Sequence, residues 1–178
     1  AEGFPGAVLI LTGGEPLTRD DTLDLAAAAT RLGLQVALSV DVGWLLTPET
    51  CAAIVAAGVQ RVSFSIHFPD AERSDHFSST PGFFEAARSG LANLRAAGVP
   101  FQMHTSVMRS NAEALPRLFD LAVELGAASA DHVTHTTDDD VDALANSDTV
   151  ATLLPGAEFS TRVALGAQRS HVFKLIVG

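Results

Sequence analysis

The sequence predicts an α/β protein, a partial (β/α) TIM-like barrel with five to seven parallel strands and outer helices. Helical stretches repeatedly end in a glycine that a β-branched or aromatic strand follows at once, at Gly33, Gly58, Gly98 and Gly126. Strand–helix–strand units at this spacing indicate parallel strands with right-handed crossovers, which form either a barrel or an open doubly wound sheet. A full eight-unit barrel needs roughly 200 residues or more. Because the chain has 178, we expect a partial barrel.

The opening strand is predicted at 7–12, where an apolar run ends at two glycines. A run of this kind, bounded by turn residues, is typical of a strand covered on both faces. The same reasoning predicts five further strands, over 35–40, 61–66, 101–107, 130–135 and 149–154. A seventh strand is predicted from a weaker pattern over 172–177.

Helix starts are predicted from capping signals. Thr18 with Asp21 three residues later has the spacing of a capping box, which predicts a helix directly after the opening turn. Thr47 and Thr80 each precede a proline, the arrangement of an N-cap followed by proline at the first helical position.

Composition limits the functional class. Hydrophobic residues make up 47% and charged residues 18%, which favours a globular domain. The net charge of −10 argues against a nucleic-acid partner. No apolar run is long enough to span a bilayer and no signal peptide is visible, so we expect no membrane partner. One free thiol fits a reducing cytosol, so we expect a cytoplasmic protein. The absence of an initiator methionine indicates a processed or truncated start. Cys51 is the single cysteine, which excludes an internal disulfide and a multi-cysteine cluster within this chain.

Polar residues collect where the predicted strands end, and chemistry in such folds lies at the carboxyl ends of strands. Gly13 and Gly14 allow a sharp turn and a close approach of a ligand to the backbone. Histidines from separate strands could hold a divalent metal, but no HxH or HExxH spacing supports this, so the alternative of solvated or hydrogen-bonded strand ends carries more weight and we predict no metal site. The strand-end residues are Glu15, Ser39, Asp41, Ser65, His67, His104, Thr105, Asp131, His132 and His135.

Several motifs in order resemble one enzyme family. The Gly-Gly-Glu-Pro turn at 12–16 is followed by matching segments at 45–48, 61–66, 68–72, 75–76, 81–83 and 97–101. With these motifs, residues 1 to about 128 resemble radical S-adenosylmethionine (SAM) enzymes of the type that modifies peptides or haem precursors. The resemblance implies SAM as cofactor and a small-molecule or peptide substrate. It implies that the SAM ammonium is held by Gly13, Gly14, Glu15 and Pro16, and that Ser39 and Ser65 hold its ribose and carboxylate.

The chain departs from this family in one essential part. The family's chemistry needs a CxxxCxxC loop that binds a [4Fe–4S] cluster, and this chain has no such motif and cannot bind the cluster. We expect that the chain begins after that loop, and that it does not cleave SAM reductively by itself. His67 and His104 also stand where the family pattern has Asp and Asn.

The C-terminal part resembles a different family. The segments 129–133, 136–140 and 149–157 are similar to imidazolonepropionase, a metal-dependent amidohydrolase that is also a barrel. This resemblance covers about 125–159, and His132 would match an active-site histidine of that family. We therefore predict a partial barrel over 1–128 and a βα segment over 129–178 that completes or extends the same sheet, with an unassigned tail from 160.

Three functions follow as hypotheses. The first is a SAM-binding domain, truncated or chimeric and inactive alone. The second is an amidohydrolase fragment with a metal held by His67, His104 and His132. The third is a non-catalytic scaffold. Whether the chain is an enzyme stays open, and no catalytic residue is predicted. Unpaired sheet edges predict self-association.

Overall fold

The computed structural model describes residues 7–131 and 150–152. Its strands form a single parallel sheet in sequence order, so the predicted α/β fold with five to seven parallel strands is confirmed. Within the described residues the first and last strands each pair on one side only, so the barrel is open there. The strands are β1 Val8–Leu11, β2 Gln35–Val40, β3 Val59–Ser65, β4 Phe101–His104, β5 Ser129–Asp131 and β6 Val150–Thr152.

Helices connect successive strands, and the predicted glycine stops are confirmed. Gly33, Gly58, Gly98 and Gly126 all have φ between 75° and 81°, the left-handed conformation that ends a helix without a steric penalty for glycine. The α-helices are α1 Thr22–Arg31, α2 Pro48–Ala56, α3 Ala71–Ser78, α4 Phe83–Ala96 and α5 Leu115–Leu125. Of the described helices, none is long and apolar enough to cross a membrane.

The hydrophobic core lies between the sheet and these helices. Alternate residues of the central strands, Leu38, Val62, Phe64 and Phe101, are at most 1% exposed and pack on the helical layer. Since successive strand residues point to opposite faces, the intervening residues form the other, inner face of the sheet.

The inner face carries a row of polar residues across four neighbouring strands. Ser39 pairs in register with Ser63, Ser63 with Gln102, and Gln102 with Ser129. The Gln102 amide donates a 2.7 Å hydrogen bond to the Ser129 hydroxyl. A partial barrel therefore presents a polar inner surface below the carboxyl ends of its strands.

The prediction that the opening strand is covered on both faces is wrong. Val8 and Ile10 of β1 are 56% and 57% exposed, whereas Leu9 and Leu11 are partly buried and pack against the core. The reason is position, because β1 lies at an open edge of the sheet and the described residues place nothing over its inner face.

Of the three predicted caps, one is confirmed and two are wrong. The Thr50 amide donates to the Thr47 hydroxyl at 3.2 Å, so Thr47 caps α2 as expected. Thr18 instead ends a short 3₁₀ turn, and its hydroxyl donates to the Glu15 carbonyl at 2.7 Å. The N-cap position of α1 is Asp21, whose side chain makes no capping hydrogen bond.

The cap of α4 comes from a distant residue and not from Thr80. Helix α4 begins after Gly82, and the Asp75 carboxylate accepts the amides of Gly82 at 2.6 Å and Phe84 at 3.0 Å. A carboxylate at a helix N-terminus satisfies free amides and complements the helix dipole. This capping residue lies seven and nine positions upstream, a separation that no local sequence pattern signals.

Strand β4 is shorter than predicted, because it leaves the sheet after His104 instead of continuing to 107. The Thr105 hydroxyl donates to the Ile66 carbonyl at 2.6 Å, so a side-chain bond replaces the strand ladder at that point. Strand β5 is described as far as Asp131; the rest of the predicted strand 130–135 and the predicted strand 172–177 lie outside the described residues.

Candidate functional site

The Gly-Gly turn follows β1 at the carboxyl end of the sheet. Gly13 and Gly14 have φ of 99° and 58°, and a Cβ built on either would meet nothing within 4 Å. The glycines are therefore needed for backbone conformation, and open space borders their main chain. Pro16 then starts a 3₁₀ turn and is buried.

The Glu15 carboxylate joins this turn to the end of β2. Its Oε2 accepts the amides of Asp41 at 2.8 Å and Val42 at 2.9 Å, and its Oε1 accepts the amide of Leu17 at 2.9 Å. A carboxylate offers about four lone-pair sites, so three are occupied and about one is left. Glu15 therefore links the ends of β1 and β2 even without a ligand.

A cavity of about 230 Å³ opens at the carboxyl ends of β2 and β3. Residues from two strand ends line it, together with one face of α3 and the start of α4. The lining residues are Asp41, Ser65, His67, Phe68, Ser74, Phe77, Ser78 and Phe83.

The His67 imidazole is fixed in one orientation. Its Nδ1 accepts the Ser106 amide at 3.1 Å, and its ring packs edge-on against Phe77 with centroids 5.0 Å apart. A backbone N–H can only donate, so Nδ1 carries no proton and neutral His67 has its hydrogen on Nε2. Burial lowers the pKa of His67, against a smaller opposing effect from Asp41. His67 is therefore a neutral N–H donor at ordinary pH.

A buried asparagine holds the loop behind His67. The side-chain amide of Asn111 donates to the carbonyls of His67 at 3.0 Å and Ser106 at 2.9 Å, and its oxygen accepts the Met108 amide at 2.7 Å. Asn111 is 1% exposed, so these bonds are shielded from water. Sequence reasoning missed this role, because a single loop asparagine gives no signal of its distant partners.

The sequence-predicted residues are only partly brought together. Ser65 lines the cavity beside Asp41 and His67, whereas Ser39 lies on the inner face of β2 and does not line it. The Gly-Gly turn connects to the cavity through the Glu15–Asp41 bond. The aromatic wall was missed, although Ser74, Phe77 and Ser78 have the i, i+3, i+4 spacing of one helix face.

Asp41, His67 and Ser65 share the cavity but do not form a Ser-His-Asp triad. In that arrangement the carboxylate accepts a hydrogen from Nδ1 of the histidine. Here Nδ1 accepts from Ser106 and has no hydrogen to give. The geometry therefore favours ligand binding over nucleophilic hydrolysis.

The metal hypothesis finds no support among the described residues. They contain no group of three or more His, Cys, Asp or Glu side chains placed to share one ion. His67 lies two residues after the end of β3 and His104 ends β4, whereas His132 and His135 lie outside the described part of the chain.

Comparison with known families identifies the larger part of the chain. The family model described as "Radical SAM superfamily" matches residues 2–122. The chain belongs to the radical SAM superfamily. The AdoMet-dependent heme synthase of Methanosarcina barkeri is 48% identical over 122 residues, which are 68% of this chain and 35% of the relative. The chain thus spans about a third of the length of that relative.

The second resemblance is confirmed over a short segment. The imidazolonepropionase of Streptomyces coelicolor is 88% identical over 42 residues, which are 24% of this chain and 11% of that enzyme. The radical SAM chain therefore also contains an imidazolonepropionase-like segment.

Solved structures agree on the fold. A domain of pyruvate-formate lyase-activating enzyme from Bacteroides vulgatus has a TM-score of 0.55 at 15% identity, covering 90% of this chain and 89% of that one. Streptococcus suis SuiB bound to S-adenosylmethionine has a TM-score of 0.60 at 11% identity, covering 81% of this chain and 29% of SuiB. SuiB has also been solved bound to its precursor peptide SuiA.

The iron–sulfur cluster that the radical SAM family implies does not fit the residues of this chain. Cys51 is the sole cysteine, and it is 0% exposed inside α2, in the core between helices and sheet. Burial raises the pKa of its thiol, which disfavours the thiolate that binds iron. The sequence holds one cysteine, so the residues present do not supply the three thiolates of the family's motif.

Proposed function

We propose that this radical SAM chain binds S-adenosylmethionine at the Gly-Gly turn and does not cleave it reductively by itself. The observation that carries the proposal is the anchored turn, in which Glu15 holds the ends of β1 and β2 together while the main chain of Gly13 and Gly14 borders open space. The turn residues Gly13, Gly14, Glu15 and Pro16 would hold the ammonium of SAM.

The chemistry of the turn suits an ammonium group. About one lone pair of the Glu15 carboxylate is left after its three amide bonds, and an ammonium on it would make a charge-assisted hydrogen bond. Gly13 and Gly14 are exposed, and neither has a side chain that could screen its main chain from a cation. Ser65, in the adjoining cavity, is the better placed of the two predicted serines for ribose or carboxylate oxygens, with Ser39 further down the inner face.

The proposal that the chain does not cleave SAM by itself follows from its single cysteine. A bound cluster would supply the electron that breaks the sulfonium bond, and the single buried Cys51 cannot hold one. We expect that anaerobic treatment with iron and sulfide yields no cluster absorbance, and that a strong reductant with SAM yields no 5′-deoxyadenosine. Formation of 5′-deoxyadenosine by the purified chain would overturn this part of the proposal.

Binding is tested by calorimetric titration of SAM against the wild type, Ser65→Ala and Ser63→Ala. Both serines lie on β3, but only Ser65 lines the cavity, so Ser63→Ala is a matched control. We expect the wild type and Ser63→Ala to bind alike, and Ser65→Ala to bind about five- to tenfold more weakly, the effect of one hydrogen bond. No heat with the wild type, or equal affinities in all three proteins, would refute the proposed site.

We also propose that the chain is composite, with a radical SAM part over 1–128 and an imidazolonepropionase-like part over 129–178. Two findings support this organisation: the radical SAM model matches residues 2–122, and a 42-residue segment is 88% identical to an imidazolonepropionase. Limited proteolysis tests it: we expect a resistant fragment that contains β1 to α5. Cleavage within β2 to α5 before any loss from the C-terminus would contradict it.

A further inference from the structure

We infer that residues 106–110 form a pH-sensitive strap, which is closed while the His67 imidazole is neutral and released when that ring is protonated. The strap is part of the loop between β4 and α5. Hydrogen bonds join it to the segment after β3, and one of them ends on a titratable ring. The strap stands without the proposed SAM site, and only its effect on binding rests on that function.

Buried side chains anchor both ends of the strap to the segment after β3. Before the strap, the Thr105 hydroxyl donates to the Ile66 carbonyl at 2.6 Å; after it, the Asn111 side-chain amide donates to the His67 carbonyl at 3.0 Å. Thr105 and Asn111 are 6% and 1% exposed, so water competes little for these bonds. Neither bond involves a titratable group, so both anchors persist when the pH changes.

Between the anchors, the strap is held by a bond that protonation removes. The Ser106 amide donates to Nδ1 of His67 at 3.1 Å. Neutral imidazole has one nitrogen that can accept, whereas both nitrogens of the protonated ring are donors. Two N–H groups would then face each other, so the bond between Ser106 and His67 cannot survive protonation.

The strap moves in response, and the ring does not. The His67 imidazole is partly buried and packs edge-on against Phe77 with centroids 5.0 Å apart. On the strap, Ser106 and Val107 are exposed, so little packing opposes their displacement. The Met108 amide donates to the Asn111 side-chain oxygen at 2.7 Å, a bond that does not involve His67 and keeps the far end of the strap folded.

The surroundings of His67 place its protonation in mildly acidic solution. Burial lowers the pKa of His67, and Asp41 opposes this effect in part. Asp70 and Arg73 at the start of α3 pair with each other at 2.7 Å, which offsets their charges. The other titratable or charged side chains on the elements around His67 are the exposed Glu72 and His76 on α3, Asp75 at the start of α4, His104 on β4 and the exposed Arg109 on the strap.

Protonation would also change the charge of the cavity beside the Gly-Gly turn. Asp41 and His67 both line this cavity, so an imidazolium there offsets the negative charge of the carboxylate. SAM carries a sulfonium and an ammonium, and a second positive group nearby disfavours such a cation. If the proposed function holds, acid therefore weakens SAM binding through His67.

The test follows the Ser106 amide and the His67 ring nitrogens by NMR on the full chain without ligand, from about pH 7.5 to about pH 5. We expect the Ser106 amide signal to move with the same midpoint as the ring. Its protection from hydrogen exchange should fall about fivefold relative to the Thr50 amide, whose bond to Thr47 lies elsewhere. A Ser106 amide that stays unchanged while His67 is protonated would overturn the inference.

Two histidine variants assign the transition to one ring. Asparagine places a side-chain oxygen near the position of Nδ1, so His67→Asn keeps an acceptor that does not titrate, and Ser106 should stay bonded over the whole pH range. His76→Asn removes an exposed histidine of α3 and should show the wild-type transition. A Ser106 transition that persists in His67→Asn, or disappears in His76→Asn, would overturn the inference.

Calorimetric titration of SAM at about pH 7.5 and about pH 5.5 tests the effect on binding. We expect the wild type and His76→Asn to bind SAM at least about threefold more weakly at the lower pH, and His67→Asn to bind alike at both. Equal wild-type affinity at the two pH values would overturn the link between the strap and binding. A chain that binds no SAM at either pH refutes the proposed function, whereas a Ser106 transition in the same chain still supports the strap.

Discussion

Replacement of Glu15 by alanine tests how much this side chain stabilises the fold by linking the ends of β1 and β2. The variant removes both carboxylate oxygens, and with them the acceptors of the Leu17, Asp41 and Val42 amides. Two of these amides belong to the segment after β2, so their loss separates the turn after β1 from its neighbour.

The magnitude follows from the number and kind of bonds. A hydrogen bond to a charged group contributes about 1.5–3 kcal/mol where water is excluded. Glu15 is only partly buried, so water can replace part of each bond, and we expect about 2–3 kcal/mol in total for the three amides. For a chain of this size, that corresponds to a fall in melting temperature of about 5–10 °C.

The assay is urea denaturation of the wild type, Glu15→Ala and Glu15→Gln, with Glu113→Ala as an exposed glutamate control. Glutamine keeps one oxygen, so Glu15→Gln should lose roughly half of the stability that alanine loses. Glu113→Ala should stay within about 0.5 kcal/mol of the wild type. A Glu15→Ala protein that is as stable as the wild type would refute the anchoring role.

Three further predictions concern packing, pH and the open edge. Gly43→Ala should lower the free energy of unfolding by about 3 kcal/mol, because the new Cβ would lie 2.3 Å from the Ala86 carbonyl oxygen. Gly98→Ala, with φ +75° and free space around it, should lower it by only about 1 kcal/mol. Denaturant titration measures both values. Burial lowers the pKa of His67 below its ordinary value of 6.5, so the unfolded chain takes up the proton first and stability should fall as the pH drops from about 6.5 downwards. His67→Gln should flatten that part of the stability profile, and an unchanged profile would contradict the assignment. Ile10→Lys should reduce concentration-dependent association in light scattering, because Ile10 is exposed on β1, which within the described residues pairs on one side only; equal association would show that another surface is used.

The order of the elements was predictable because local signals fix it. The helix-ending glycines, such as Gly33 and Gly126, each need a left-handed conformation that other residues avoid, so their positions mark the ends of helices in the sequence. The cap at Thr47 was predictable for the same reason, since its partner is three residues away. The exposure of Val8 was not, because burial of a strand depends on which neighbours cover it.

The site was predictable only where its contacts follow from the strand ends. The positions of Ser65 and His67 follow from the end of β3, which the sequence pattern already placed. The bonds from Glu15 to Asp41 and from Asn111 to His67 join residues 26 and 44 positions apart, and no periodicity encodes such partners. The family resemblance implied that Glu15 is a ligand residue, whereas its hydrogen bonds to the backbone after β2 are visible only in the folded structure.

Residue-resolved NMR of the wild-type chain titrated with S-adenosylmethionine tests the central claim most directly, because it reads the proposed turn without requiring a cluster or turnover. The account predicts saturable shifts at Gly13, Gly14, Asp41 and Ser65, with β4 and α5 unchanged. Shifts confined to other surfaces, or none at millimolar SAM, would contradict the claim that this radical SAM chain binds the molecule at its Gly-Gly turn.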